Sequence, residues 1–138
     1  MILSAGLGTR MRPLTLAAPK PLVEVGGRRL IDFALATLVA AGIRHVVINL
    51  HHLGDQIRRY LGDGSNRGLC IDYSVEEILQ GSGGGIRDAR PLLGSGTLVT
   101  LYADTLIGID LRPFLRQHRE RAAAATLILR KDPEMDRF

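Results

Sequence analysis

A chain of 138 residues is long enough for one domain with a real core and short for two. Hydrophobic residues at 46% and charged residues at 23% exclude a disordered tail, and the longest uncharged apolar run, Phe33 to Ile43, is too short to cross a bilayer. The net charge of +4 rests on arginines placed singly or in pairs, and with aromatics at only 4% it argues against a nucleic-acid partner.

Met1 to Ser4 is a short apolar run stopped by Gly6 and Gly8, and it reads as a buried strand. It has no positive segment before it, which argues against a secretory signal. Leu30, Ile31, Ala34, Leu35, Leu38 and Ala41 recur at helical spacing, and Gly42 is a C-terminal stop. Val46 to Leu50 is β-branched and short, a second strand. Gly54 to Leu61 carries Ile57, Tyr60 and Leu61 on one side of a helix. Leu69 to Ser74 is a third strand, entered through the turn-rich Gly62-Asp63-Gly64-Ser65-Asn66. The single cysteine, Cys70, has no internal disulfide partner and suits a reducing cytoplasm.

After a glycine run, Ile86 to Leu93 reads as a short helix and Thr97 to Ala103 as a fourth strand. Asp110 then caps a helix holding Phe114, Leu115 and His118, with Pro113 tolerable in its first turn. The basic residues Arg112, Arg116, Arg119 and Arg121 are spaced as one solvated helix face. Ala124 to Arg130 reads as a fifth strand, and Lys131 to Phe138 adds no closing element, an ending expected of a cut through a larger domain or of a chain that needs a partner. Strands alternating with helices indicate βαβ crossovers and a mainly parallel sheet covered on both faces.

In an open α/β sheet ligands collect at the carboxyl ends of strands where the strand order reverses, so the loop after the first strand is the place to look. It reads Ser4-Ala5-Gly6-Leu7-Gly8-Thr9-Arg10-Met11-Arg12-Pro13-Leu14-Thr15, then Pro19-Lys20-Pro21-Leu22. Two glycines let backbone N–H groups approach a phosphate, and a positive side chain can neutralise its oxygens. The dinucleotide fingerprint is incomplete, because Met11 stands where its third glycine would be and Asn49 ends the second strand in place of an acid. A Walker A run is absent, because Lys20 follows a proline. A Gly-x-Gly alone reads equally well as a tight turn. Joined to Thr-Arg, Pro-Leu-Thr and Pro-Lys-Pro, it is far more specific.

The segment Ala5 to Leu22 resembles the N-terminal consensus of the sugar-1-phosphate nucleotidyltransferases, the NDP-sugar pyrophosphorylases, in the manner of their bacterial uridylyl- and guanylyltransferase branch. The likeness continues through Gly26-Gly27-Arg28, Gly42-Ile43, Asn49, Gly62-Asp63-Gly64, the glycine run from Gly81 to Ile86, and Tyr102-Ala103-Asp104. It covers essentially all of residues 1–138, read as the nucleotide-binding N-terminal part of one domain, whereas family members are substantially longer. The fold it implies is a three-layer αβα, Rossmann-like nucleotidyltransferase fold with a mainly parallel sheet, here truncated.

The resemblance implies transfer of a nucleoside monophosphate from UTP or GTP to a sugar 1-phosphate, in the cytoplasm, for nucleotide sugars such as those of the cell wall. Ala5, Gly6, Gly8 and Thr9 would hold the triphosphate, Arg10 the departing pyrophosphate, and Lys20 the α-phosphate and incoming phosphate. Asp104 would bind Mg²⁺, beside the glycine loop, with Tyr102-Ala103 replacing the more usual pair before it. Ser82, Gly83 and Gly84 fall where the family meets the base and ribose, although this run carries one extra residue. The bland alternatives are a surface arginine, a solvated lysine, a strand-end aspartate and a flexible loop.

The family's second metal-binding aspartate and most sugar contacts lie beyond the region this chain covers, and none of Asp110, Glu120, Asp132, Glu134 and Asp136 stands in a matching motif. A missing C-terminal half or a second copy of the chain is therefore an implied partner, and the 138 residues alone are expected to bind nucleotide without efficient turnover. His51-His52 and Cys70 lack metal-ligand spacing, and no Ser/His/Asp set offers a covalent nucleophile. The rival reading is a non-catalytic nucleotide-binding or regulatory module on the same fold.

Overall fold

The structure, a computed structural model, describes residues 1–129. Its elements in chain order are β1 (Ile2–Leu3), α1 (Leu14–Ala17), β2 (Glu24–Val25), β3 (Arg28–Arg29), α2 (Leu30–Ala40), β4 (His45–Leu50), α3 (Gly54–Leu61), β5 (Cys70–Val75), α4 (Gly81–Asp88), β6 (Leu101–Tyr102) and α5 (Arg112–Glu120). Four strands form a parallel sheet in the order β5-β4-β1-β6, with Ile2 opposite both Ile48 and Leu101. The architecture is the expected α/β, Rossmann-like one.

The period of two along each strand sorts the core into two layers. Ile2, Val46, Ile48, Leu50 and Leu101 pack with Ile31, Leu35 and Leu38 of α2 and Ile57 and Leu61 of α3. Leu3 and Val47 point the other way, onto Ala89 and the partly buried Ile86 and Leu93 around α4. Among the described residues no helix is long and apolar enough to cross a membrane.

Some expectations need correction. The helix expected over Ile86–Leu93 instead begins at Gly81 and ends at Asp88, and Arg90–Leu92 forms a separate single 3-10 turn containing Pro91. Glycine disfavours a helix by about 1 kcal/mol per residue relative to alanine, but Gly85 is packed too closely for a side chain, as described below. The fourth strand is confined to Leu101–Tyr102, because its partner β1 offers only Ile2–Leu3 before it turns into the glycine loop. The fifth strand is not formed over 124–129: no described strand lies alongside, and Leu127 and Leu129 are exposed. Arg130 and the tail Lys131 to Phe138, with Asp132, Glu134 and Asp136, lie outside the described residues.

The hairpin of β2 and β3 was not anticipated. Gly26 and Gly27 both take positive φ, 60° and 78°, which is the geometry of the tight hairpin turn whose twist matches its strands.

Candidate active site

The chain passes from β1 to β4 and β5 on one side, then crosses back to β6 on the other. The loops leaving β1 and β6 therefore diverge, opening a crevice at the carboxyl ends of these neighbours. A cleft of about 420 Å³ occupies that place, with Ala5, Gly6, Gly8, Thr9, Arg10 and Lys20 on its β1 side.

The two glycines of the loop answer to different demands. Gly8 has a φ of +62°, and a Cβ there would lie 2.8 Å from Thr15 Cγ2. Thr15 is buried, and its hydroxyl donates to the Gly8 carbonyl at 2.8 Å, pinning the loop from behind. Gly6 faces the cleft, and a Cβ on it would meet nothing within 4 Å. Thr9–Met11 then form one 3-10 turn, closed by Met11 N–H donating to the Gly8 carbonyl at 2.9 Å, which leaves Arg10 exposed at the mouth.

Lys20 opens a 3-10 turn between two buried prolines, Pro19 and Pro21. Fixed φ values at both flanks hold the backbone from which the ammonium group reaches out. It donates to Asp104 Oδ2, just beyond β6, in an ion pair whose side chains are 27% and 33% exposed. Residues 84 apart in sequence are thus joined across the switch point.

The opposite wall is the start of α4, with Leu79, Gly81 and Ser82 lining the cleft. Ser82 Oγ lies 3.0 Å from the Tyr102 hydroxyl, so this tyrosine ties the wall to β6. Gly83 and Gly84 lie further along α4 and do not line the cleft, and a Cβ on Gly84 would meet Gln80 Cβ at 2.5 Å.

From the floor of the cleft a largely buried polar chain runs back into the fold, and sequence reasoning missed it. Ser4 N–H donates to Asn49 Oδ1 at 2.7 Å, and Ser4 Oγ donates to the Asn49 carbonyl. Asn49 Nδ2 donates to Glu76 Oε1 at 2.6 Å, and Gln80 N–H donates to Glu76 Oε2 at 3.0 Å. Asn49 is 3% exposed and Glu76 5%. The one available signal was Asn49 itself, an amide in an otherwise apolar buried strand, which must find partners.

Among the described residues no group of three or more His, Cys, Asp and Glu is placed to hold a metal ion. His51 Nδ1 and His52 Nε2 meet backbone carbonyls of Glu76 and Thr15, at 2.8 and 3.3 Å, and Cys70 is exposed. Asp110 is turned to local use: its carboxylate, held below the usual range by the Arg112 guanidinium, accepts the Arg112 N–H at 2.9 Å.

Comparison with known proteins gives this cleft a context. Residues 1–138 match the family described as nucleotidyl transferase. The chain is 48% identical over 112 residues to the N-acetylmuramate alpha-1-phosphate uridylyltransferase of Neisseria meningitidis, covering 80% of this chain and 48% of that protein. It is 40% identical over 129 residues to the mannose-1-phosphate guanylyltransferase of Mycobacterium tuberculosis, covering 94% of this chain and 36% of that one. A Bacillus anthracis protein assigned as a glucose-1-phosphate thymidylyltransferase, crystallised with sucrose, superposes with a TM-score of 0.80 at 26% identity, over 86% of this chain and 49% of that one. The chain spans between about a third and a half of the length of these curated relatives.

Proposed function

This chain belongs to the nucleotidyl transferase family, and from that footing we propose that it forms the nucleotide-binding part of an enzyme that transfers a nucleoside monophosphate from UTP or GTP to a sugar 1-phosphate. An oxygen of the sugar phosphate would attack the α-phosphorus, the bond from that phosphorus to the bridging oxygen would break, and pyrophosphate would leave with the bond's electrons. The observation that carries the reading is the convergence of the Gly6–Arg10 loop, Lys20 and Asp104 on one cleft at the strand-order reversal.

Both reactants are anions, so the protein's work would be positioning and charge neutralisation. The bare backbone at Gly6 would let N–H donors approach the triphosphate closely. Arg10, exposed at the mouth, would engage the departing pyrophosphate with its planar fork. Lys20 would exchange Asp104 for the α-phosphate and the incoming phosphate. The start of α4, from Gly81 and Ser82, would face the base.

Asp104 fits a divalent cation as a single hard carboxylate ligand beside the place proposed for phosphates, and Mg²⁺ commonly takes one or two carboxylates with substrate phosphates and waters supplying the rest. Bound there, Mg²⁺ would neutralise phosphate charge. Because the relatives extend well beyond the matched region, the sugar would be held by a segment outside this span or by a second copy of the chain. The reading extends to the cytoplasm, whose reducing conditions suit the exposed thiol of Cys70, and to nucleotide sugars that supply the cell wall.

Pyrophosphate release from the intact protein, with the four nucleoside triphosphates against a panel of sugar 1-phosphates, tests it. Release is expected with UTP or GTP and only with a sugar phosphate present. Arg10→Ala and Lys20→Ala should each weaken triphosphate binding by about 1.5–3 kcal/mol, as for hydrogen bonds to charged groups, while Arg58→Ala on α3 should change little. Triphosphate binding without release for any pair would favour the non-catalytic module.

A further inference from the structure

The carboxylate of Glu76 is buried, and among the described residues no cation contacts it. A buried carboxylate is costly unless hydrogen bonds compensate, so its partners matter. They are Asn49 Nδ2 on one oxygen and Gln80 N–H on the other. Asn49 in turn accepts from Ser4 N–H, and its carbonyl accepts from Ser4 Oγ. The chain therefore runs from Ser4 at the root of the glycine loop, through Asn49 on the floor of the cleft and Glu76 behind it, to Gln80 at the N-terminus of α4. Its backbone is anchored too: Glu76 N–H donates to the Leu50 carbonyl at 2.8 Å, and His51 Nδ1 lies 2.8 Å from the Glu76 carbonyl.

Packing closes around the pair. A Cβ on Gly85 would lie 2.5 Å from Glu76 Oε1 and 2.7 Å from Asn49 Nδ2, so α4 lies directly against these two side chains. Asn49 borders the floor of the cleft, whereas Glu76 stands behind it and does not line it. The Asn49 side-chain amide accepts from Ser4 N–H at one end and donates to the carboxylate at the other, so the carboxylate polarises the amide and strengthens the grip of Oδ1 on Ser4 N–H.

We propose that Asn49 and Glu76 are positioning residues that set the separation of the two cleft walls, tying the phosphate-side loop at Ser4 to the base-side wall at Gln80. The proposal rests on the cleft being the triphosphate site. In this arrangement the two walls share one hydrogen-bonded path through the buried side chains of Asn49 and Glu76, so that a shift of either wall strains the bonds of the other, and triphosphate affinity depends on that pair.

The donors and acceptors along this path provide a test in the intact protein. In Glu76→Gln the new amide must face a donor, either Asn49 Nδ2 or Gln80 N–H, and turning Asn49 over only moves the conflict to Ser4 N–H. In Asn49→Asp two carboxylates face each other. The double variant, Asn49→Asp with Glu76→Gln, exchanges the two groups. The carboxylate now at position 49 still accepts from Ser4 N–H, and the amide now at position 76 donates to it while accepting from Gln80 N–H. Total charge and every hydrogen bond are kept.

Each single variant should weaken triphosphate binding by about tenfold or more, the scale of a buried polar group left without a partner, with KM for the sugar phosphate little changed. The double variant should return to within about threefold of the original affinity, and it should fold even where a single variant does not. Asp32→Ala, which removes the acceptor of the Tyr60 hydroxyl's 2.7 Å bond to Asp32 Oδ2 on the outer helices, controls for loss of stability alone. Amide hydrogen exchange without ligand supplies a readout independent of the proposed activity: folded single variants should exchange faster at both Ser4–Gly8 and Gln80–Gly84. Folded single variants with unaltered exchange at the far wall, or a double variant no better than the singles, would overturn the proposal. An unmodified protein that binds no triphosphate would instead overturn the proposed function, leaving the exchange measurement to decide the pair.

Discussion

At Gly8 the backbone sits at a φ of +62° with Thr15 Cγ2 only 2.8 Å from where a Cβ would stand, whereas the space over Gly6 is empty within 4 Å. Gly8→Ala should therefore destabilise the fold by about 1–2 kcal/mol from the left-handed conformation alone, read as a lower urea midpoint. Gly6→Ala should leave that midpoint nearly unchanged and weaken triphosphate binding, because its methyl would enter the cleft. Equal loss of stability in the two variants would contradict this division of labour. The loop motif was legible in the sequence because its residues are contiguous, and Asp104 was found through the resemblance. The pairing of Asn49 with Glu76 was not found, because an amide and a carboxylate acquire meaning only from partners that the chain brings together in three dimensions.

α4 is the element in which local preference and tertiary packing disagree. Its first turns are glycine-rich, so the sequence predicts a helix only from Ile86, yet the helix begins at Gly81. The reason is visible at Gly85, whose missing side chain makes room for Glu76 Oε1 and Asn49 Nδ2, at 2.5 and 2.7 Å from a would-be Cβ. Gly83 has nothing within 4 Å. Gly83→Ala should stabilise the protein by about 1 kcal/mol through helix propensity, and Gly85→Ala should destabilise it despite the same propensity gain. Thermal unfolding of the two variants decides this, and a stabilised Gly85→Ala would mean the packing is looser than described. By contrast α3 was legible to the residue over Gly54–Leu61, because Ile57 and Leu61 repeat at helical spacing and glycines bound it. The hairpin of β2 and β3 was too short for any periodicity to register.

At the scale of the whole molecule, the strand order matters more than any single contact. Placing β6 beside β1 brings Asp104 to the glycine loop, and Lys20 closes the gap. A partly exposed pair of this kind contributes only about 0–1 kcal/mol to stability, so removing its charge should leave the fold intact and expose its effect on ligands. The most direct measurement is calorimetric titration of UTP or GTP into the intact protein, with and without Mg²⁺, for the original sequence and for Asp104→Asn. The substitution should weaken binding in the presence of Mg²⁺ and leave metal-free binding unchanged or stronger, because a carboxylate no longer faces the triphosphate and Lys20 is released toward it. A folded Asp104→Asn protein with unaltered Mg²⁺ dependence would contradict this.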